Sequence, residues 1–478
     1  MSKMFINGEW IESSNNAAME IRNPANGEVV DSAPEGTIKE VNAAVDAATD
    51  AFKKWSRMSV EERANIVLKG IEAVHAQQDE LALLLTREQG KPLNEAKTEI
   101  EHFLHGMKFY AHLAPSVRGS YVNLPDPSMY GMVLRQPIGV CAAIVPWNFP
   151  VTLLGTKIGP ALVAGNTVVA KPSPTTPLTT LKIAELLTQA GLPNGALNVI
   201  TGPGAELGEA LITHPTVRRV AFTGSTKTGK RVAEIAGRGI KRVTLELGGS
   251  DPLIVCDDAD LKRASVAASI GRFFNAGQMC LAVKRMYVFD SVYDEFMQLV
   301  MARVSKTTVG GGEDPKTRMG PMHTAVGREL VEAQIADAVS KGAQVLAGGK
   351  RPEGDGFDNG FYLQPTVLTD VPLDSRMRTE EVFGPALPVW RVKDLEEAIA
   401  LANDSPYGLG ATVFTRDLKR ARDVAERLEV GNVWINSLEI GFDELPFGGV
   451  KESGLGREHG PEALDYYLEP KGVVIATG

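Results

Sequence analysis

Cys280 and Glu246 are the two side chains of this 478-residue sequence whose surroundings suit covalent chemistry on a carbonyl group. A thiolate adds to a carbonyl carbon to give a covalent intermediate, and a carboxylate kept partly dry can act as general base on the water that releases it. Glu246 stands in Glu246-Leu-Gly-Gly at the close of an apolar run, and Cys280 ends the stretch Asn275-Ala-Gly-Gln-Met-Cys280. Taken singly, an inert core cysteine and an ordinary surface glutamate explain the two better, since free cysteine is among the most buried residue types. Their flanks decide between the two explanations.

The run Arg242 to Leu247 reads as a buried strand, and Gly248-Gly249 lets the chain turn sharply without a Cβ clash, which puts Glu246 at a strand end. From Asp260 onward, Leu261, Ala264, Ala267, Ala268 and Phe274 keep helical spacing that breaks at Gly277, so the thiol is expected in a loop past a helix end. From Gly139 to Leu247 strand-like runs (Val140 to Val145, Thr167 to Ala170, Leu197 to Ile200, Val220 to Phe222, Val243 to Leu245) alternate with helical ones. Alternation of this kind predicts a parallel sheet with helices on both faces, a dinucleotide-type domain. Residues 249 to about 445 repeat it, with strands at Met286 to Phe289, Val345 to Ala347, Leu387 to Val392, Ala411 to Phe414 and Val433 to Asn436. The fold class is therefore α/β, with two doubly wound open-sheet domains.

Ahead of the first sheet, an Asn7-Gly8 turn marks a hairpin, and Thr37-x-x-Glu40 and Ser59-x-x-Glu62 have the form of capping boxes. The helices they open should bury Val41, Val45, Ala48 and Phe52, then Ile66, Val67, Ile71 and Val74. A third helix from Asp79 should stop near Gly90-Lys-Pro92, and a fourth should span 95 to 115. Between Arg118 and Pro137 short extended pieces are punctuated by Pro125, Pro127 and Gly131.

Six stretches occur in one chain: Pro146-Trp-Asn-Phe-Pro150, Phe222-Thr-Gly-Ser225, Leu245-Glu246-Leu-Gly-Gly, Asn275-Ala-Gly-Gln-Met-Cys280, Glu381-Val-Phe-Gly-Pro385 and Pro446-Phe-Gly-Gly-Val-Lys451. In this order they closely resemble the NAD(P)-dependent aldehyde dehydrogenase superfamily, over nearly the whole chain. The resemblance implies a Rossmann-like dinucleotide-binding domain from 1–118 and 138–248 and a catalytic domain from 249–445. It also implies a small β oligomerisation segment from 119–137, with a C-terminal extension from 446–478. By the same resemblance Cys280 is the nucleophile, Asn148 an oxyanion donor beside the Cys280 backbone amide, and Glu246 the base that hydrolyses the thioester. A glutamate at 246 points to the branch that releases a free acid rather than acylating coenzyme A. The cofactor set implied is Trp147, Lys171, Ser173, Pro174, Gly224, Ser225, Gly229, Leu247, Glu381 and Phe383. The substrate pocket would draw on Phe149, Leu153, Met279, Leu281 and Phe447, with Phe103, Met107 and the loop 438–447. Leu281 and Ser250 depart from the residues common in relatives. Lactaldehyde, glyceraldehyde or succinic semialdehyde represent the substrate type expected, and a homodimer or homotetramer the expected assembly. Relatives that prefer NAD commonly carry a glutamate at the position of Pro174; without it, and with Lys171, Ser173 and Thr175 nearby, NADP should be preferred or both cofactors used.

Gly224-Ser-Thr-Lys-Thr-Gly229-Lys230 also fits the spacing of a triphosphate loop, which keeps a nucleotide-triphosphate-binding protein as the alternative. That signature fails at Arg231, where a Mg²⁺-ligating hydroxyl belongs, and the Rossmann glycine fingerprint fails too, at Ser225-Thr226. What survives is a strand, a glycine turn and a helix N-terminus suited to phosphate. A non-catalytic structural relative is disfavoured because Cys280, Glu246 and Asn148 are all retained. The net charge of −9 is spread without a basic block, which argues against nucleic acid. No apolar run approaches the roughly 20 residues that cross a bilayer, and no signal peptide is expected before the hairpin. Three widely spaced cysteines suit a reducing compartment, so the cytoplasm is expected. His102, His105 and His112 read as a solvated helix face, and no metal is expected.

Overall fold

Short apolar runs bounded by glycine and proline form the first sheet where the alternation predicts it. In the computed structural model, which describes residues 3–354 and 356–477, these strands are β1 (Val140–Ile144), β2 (Thr167–Lys171), β3 (Leu197–Val199), β4 (Val217–Thr223) and β5 (Arg242–Glu246). All five are parallel, in the order β3-β2-β1-β4-β5. The hairpin Met4–Ile6/Glu9–Ile11 extends the β3 edge and the short strand Gly454–Leu455 the β5 edge, both antiparallel. Alternate side chains feed two cores: Cys141, Ala143, Val168 and Ala170 on one face, Val140, Ala142, Val169 and Val220 on the other. The order reverses between β1 and β4, and a crevice for a ligand opens at the carboxyl ends of strands where it does so.

Both capping boxes form, at Thr37 with Glu40 and at Ser59 with Glu62. Phe52 and Ile66 are only half-buried, in contrast to the expectation from spacing. Trp55 completes the first stripe instead, fully buried, with its indole N–H donating to the Leu162 carbonyl at 3.0 Å. The third helix, Gln78–Gln89, stops at Gly90, whose φ of 104° a residue with a Cβ rarely adopts. The fourth spans Leu93–Leu113.

The second sheet contains β6 (Asp251–Val255), β7 (Val283–Phe289), β8 (Gln344–Ala347), β9 (Thr366–Thr369), β10 (Ala386–Val392), β11 (Gly410–Phe414) and β12 (Asn432–Ile435). Its order is β8-β9-β10-β7-β6-β11-β12, parallel throughout except for β8. Strands β6 and β9 escaped the sequence reading: one opens on Asp251-Pro252, a pair that normally punctuates, and the other has four residues. The expected parallel strand at 345–347 runs antiparallel at the sheet edge, where Val345 and Leu346 face solvent. Asn436 falls outside β12 in the left-handed region, at φ 53°. Among the described residues no helix is long and apolar enough to cross a membrane.

A third, three-stranded antiparallel sheet joins Ser120–Asn123, Met129–Pro137 and the C-terminal strand Leu468–Ala476, paired without a break from Leu468↔Pro137 to Ala476↔Met129. Only four residues, 247–250, separate β5 from β6, so the carboxyl edge of the first sheet meets the amino edge of the second. Cys280 lies just before β7 on that amino edge, and Glu246 ends β5 on the opposing carboxyl edge.

Candidate active site

The helix Leu261–Phe273, capped by the Asp260 side chain, gives way to a tight turn in which Asn275, Ala276 and Gly277 all have positive φ (49°, 51° and 71°). Two such non-glycine residues in a row persist only where the surroundings over-determine them. Here the Asn275 backbone N–H donates to Glu95 at 2.8 Å, Gln89 Nε2 donates to Asn275 Oδ1 at 3.1 Å, and Arg272 donates to the Gly277 carbonyl at 2.6 Å. A Cβ at Gly277 would stand 2.4 Å from the Gly384 carbonyl oxygen. Asn148 meets this turn from the end of β1: its amide donates to the Gln278 carbonyl at 3.1 Å, and its own carbonyl accepts from Asn275 Nδ2 and Lys91 Nζ. One amide hydrogen of Asn148 remains for another acceptor.

Cys280 is half-buried, whereas Cys141 and Cys256 lie in the core. Desolvation pushes its thiol up to about 12, with the Lys284 ammonium opposing and the carboxylates of Asp251, Glu246 and Glu381 adding to the rise. Lys284 is wholly buried and spends its three hydrogens on the Cys280 carbonyl (2.8 Å), the Gly249 carbonyl (2.9 Å) and Glu381 (2.6 Å). Glu381 also accepts from the Gly249 N–H at 3.1 Å.

Glu246 is buried, and neither carboxylate oxygen has a hydrogen-bond partner. Desolvation, aided by the nearby Glu458, drives its carboxyl well above the usual range; Lys157 and Arg457 pull the other way. Lys157 pairs with Glu458 at 2.8 Å and donates to Thr223 at 2.7 Å. A Cβ at Gly448 would sit 2.6 Å from Glu246 Oε1, so the approach to the carboxylate depends on that glycine.

A cavity of about 490 Å³ opens onto Cys280. Phe103, Phe149, Leu153, Met279, Leu281 and Phe447 line it as expected, joined by Phe274, Ile440 and Phe442. Met107 does not: it lies one helical turn along the same face from Phe103 and packs in the core beside Gly159. His102 and His105 are exposed, as a solvated face requires, yet they form the cavity rim with His459. Asp443 bridges His105 Nδ1 (2.6 Å) and His459 Nδ1 (2.7 Å). No lysine or arginine is among the lining residues.

The residues expected to hold a dinucleotide gather at the carboxyl ends of the first sheet. Trp147 follows β1 and packs edge-on against Phe383 at 5.7 Å. Lys171 ends β2, buried, its ammonium pushed down to about 8 by desolvation and reaching only the Gly202 carbonyl at 3.4 Å. Ser173, Pro174 and the exposed Thr175 follow it. Gly224 follows β4, Ser225 caps the helix Thr226–Arg238, and a Cβ at Gly229 would sit 2.3 Å from Leu247, so helix and strand end pack closely. Lys230, which a triphosphate loop would aim at phosphate, instead pairs with Glu452 at the surface. An under-used buried cation, a capped helix N-terminus and a strand-order reversal fit a dinucleotide.

Residues 10–473 match the profile of the Aldehyde dehydrogenase family. The chain belongs to that family. It is 43% identical over 470 residues to the succinate-semialdehyde dehydrogenase [NADP(+)] of Escherichia coli, covering 98% of this chain and 97% of the relative. It is 42% identical over 473 residues to the glutarate-semialdehyde dehydrogenase of Pseudomonas putida, covering 99% and 97%. A crystal structure of an E. coli NADP-dependent enzyme superposes with a TM-score of 0.97 at 43% identity, covering 99% of this chain and 98% of that one. The aldehyde dehydrogenase described here is an NAD(P)-dependent oxidoreductase that converts an aldehyde to the carboxylic acid.

Lys157, Glu458, Lys284, Asp251, Glu439 and His323 were not singled out from sequence. A signal existed for two of them: Lys157 is the one charged residue of the largely apolar helix Pro150–Val163, and Lys284 sits in the wholly buried strand β7. Replacing Lys284 by Gln removes the charge beside Cys280 and keeps two donors. The pH midpoint for iodoacetamide alkylation of Cys280 should rise by at least about half a unit, the equivalent of roughly 0.7 kcal/mol, whereas Lys284→Arg should stay near wild type. An unchanged midpoint in Lys284→Gln would show that the ammonium does not act on the thiol.

Proposed function

We propose that Cys280 is the nucleophile, Asn148 an oxyanion donor and Glu246 the general base in the oxidation of small aldehydes to free acids. The observation that supports this is the Asn148 amide held on the Gln278 carbonyl, two residues before Cys280, together with a dry Glu246 carboxylate close enough to act on the same thiol. In this reading the Cys280 thiolate adds to the aldehyde carbon, and the oxygen that becomes an alkoxide accepts a hydrogen bond from the free amide N–H of Asn148. A nicotinamide dinucleotide held at the carboxyl ends of β1, β2 and β4 would supply the hydride acceptor that the passage from hemithioacetal to thioester requires. Glu246 then takes a proton from water as its oxygen joins the thioester carbon. The C–S bond breaks, Cys280 leaves as thiolate, and the acid departs. Because burial holds the Glu246 carboxyl above its usual range, the base form grows as pH rises, and hydrolysis should quicken with it.

The cofactor is NADP or NAD in this reading. Pro174 places no carboxylate against a 2′-phosphate, Lys171 supplies a cation, and the E. coli relative is named for NADP. For substrate we favour a semialdehyde, the type for which the E. coli and P. putida relatives are named, or a small hydroxyaldehyde, with its distal oxygens at the imidazoles of His102, His105 and His459. The phenyl rings of Phe103, Phe149, Phe274, Phe442 and Phe447 support a second reading, an aromatic aldehyde. The division of labour proposed is cofactor on 1–118 and 138–248, catalysis from 249–445, and assembly through 119–137 and the C-terminal strand. Tyr121, Val122 and Val474 expose apolar surface on that small sheet, which supports a homodimer or homotetramer.

Cys280→Ala should abolish oxidation and still bind cofactor; near-normal turnover would rule out the thiol as nucleophile. Glu246→Gln should give one burst of reduced cofactor, a thioester visible by mass spectrometry on Cys280, and hydrolysis slowed by roughly 10²- to 10⁴-fold. In a panel of aldehydes with NAD and NADP, kcat/KM should be highest for semialdehydes or hydroxyaldehydes. Preference for arylaldehydes would favour the second reading. Light scattering at micromolar concentration should give a dimer or tetramer mass, and a monomer would refute the proposed assembly.

A further inference from the structure

We infer that His323 is a positioning residue for cofactor choice, because it fixes the direction of a hydrogen-bond chain that ends on the Thr175 and Ser173 hydroxyls. The inference rests on the reading above in which the loop after β2 faces the adenosine ribose, as strand ends beside a reversal of strand order do. His323 is buried, and its ring stacks on Trp147 with centroids 4.5 Å apart and planes 12° apart. Its backbone N–H donates to Gln278 Oε1 at 2.8 Å, which ties it to the nucleophile turn.

The two ring nitrogens have different neighbours. Nδ1 lies 3.0 Å from the Gln89 carbonyl oxygen, and Nε2 lies 2.7 Å from Thr175 Oγ1. A carbonyl oxygen only accepts, so Nδ1 carries hydrogen. Burial holds the imidazole down to about 4, so near neutral pH the ring has one hydrogen and Nε2 is an acceptor. Thr175 must then donate its hydroxyl hydrogen to Nε2. The contact between Ser173 Oγ and Thr175 Oγ1, 3.0 Å long, can in turn run only from Ser173 to Thr175. Both hydroxyl hydrogens are committed to bonds within the chain, and each oxygen has a lone pair left for a ligand.

A ribose with a free 2′-hydroxyl can donate to such oxygens. A 2′-phosphate cannot, being almost wholly an acceptor at neutral pH, and it meets two oxygens where it needs donors. Pro174 removes a repelling carboxylate, while His323 turns the neighbouring hydroxyls against the phosphate. The two effects oppose, which holds this loop nearer to dual use than its sequence suggests.

The test is calorimetric binding of NAD⁺ and NADP⁺ to the full chain near neutral pH, with no turnover needed. His323→Phe keeps a flat ring on Trp147 and removes the acceptor, freeing the Thr175 hydroxyl to donate. Affinity for NADP⁺ relative to NAD⁺ should rise on the order of tenfold, the effect of one hydrogen bond to a charged group. In a Thr175→Val background the same substitution should change the ratio by less than about twofold. An unchanged ratio in folded His323→Phe overturns the inference. Thr175→Val, at an exposed position, gives a second reading of the chain should His323→Phe fail to fold: it should weaken NAD⁺ more than NADP⁺. If NADP⁺ weakens more, the loop faces the ribose but the chain runs the other way, and the inference fails alone. If neither dissociation constant moves, the loop does not face the ribose, and the placement beneath the inference falls with it.

Discussion

The buried ion pair between Lys91 and Glu99 is the constraint on which the site's geometry depends. Both side chains are fully removed from solvent. Lys91 also donates to the Asn148 carbonyl at 2.8 Å and lies 3.9 Å over the Phe149 ring, while Glu99 accepts from the backbone N–H groups of Val151 (2.8 Å) and Thr152 (3.2 Å). The helix Pro150–Val163 has no side-chain cap of its own, so Glu99 satisfies amides that would otherwise be orphaned. Gln89 and Glu95, on either side of Lys91, hold Asn275 in the turn before Cys280. One helix break at Gly90 thus fastens the segments bearing Asn148 and Cys280 to a common brace. Removing one member of such a pair costs about 3–5 kcal/mol, because the other is left charged in a dry environment.

Carboxyl groups crowd the junction of the two sheets. Glu246 and Glu458 lie on one side of it, Asp251, Glu381 and Glu439 on the other, and burial drives Glu246 and Glu439 well above the usual range. Lys157 serves the first group and Lys284 the second, so Glu246 and Cys280 each have a buried ammonium nearby. The arrangement follows from topology: facing sheet edges bring strand-end side chains together where little water can enter.

The side chains proposed to react were legible because each lies in a local pattern: Glu246 before a glycine pair, Cys280 after a helix stop, Asn148 between prolines. Most strands were legible as apolar runs. What escaped depends on contacts far apart in sequence. Lys284 reads as an oddity within β7 until Glu381, 97 residues on, is seen beside it. His323 has no local pattern at all, and its partners come from Gln89 and Thr175. Met107 was misplaced because helical spacing fixes a face but not which neighbour covers it. The antiparallel direction of β8 escaped because an edge strand is set by its partner rather than by its own residues.

Cys141 and Cys256 are shut into the core, and desolvation pushes both thiols up to about 12. Cys280, the third cysteine of the sequence, is the one that faces a cavity. An electrophile entering from solvent through that cavity therefore meets a single thiol. Under the role proposed for Cys280, thiol modification of this chain should register first as silent loss of turnover in a molecule that keeps its fold, and a single thiol-directed tag per chain would count the competent sites.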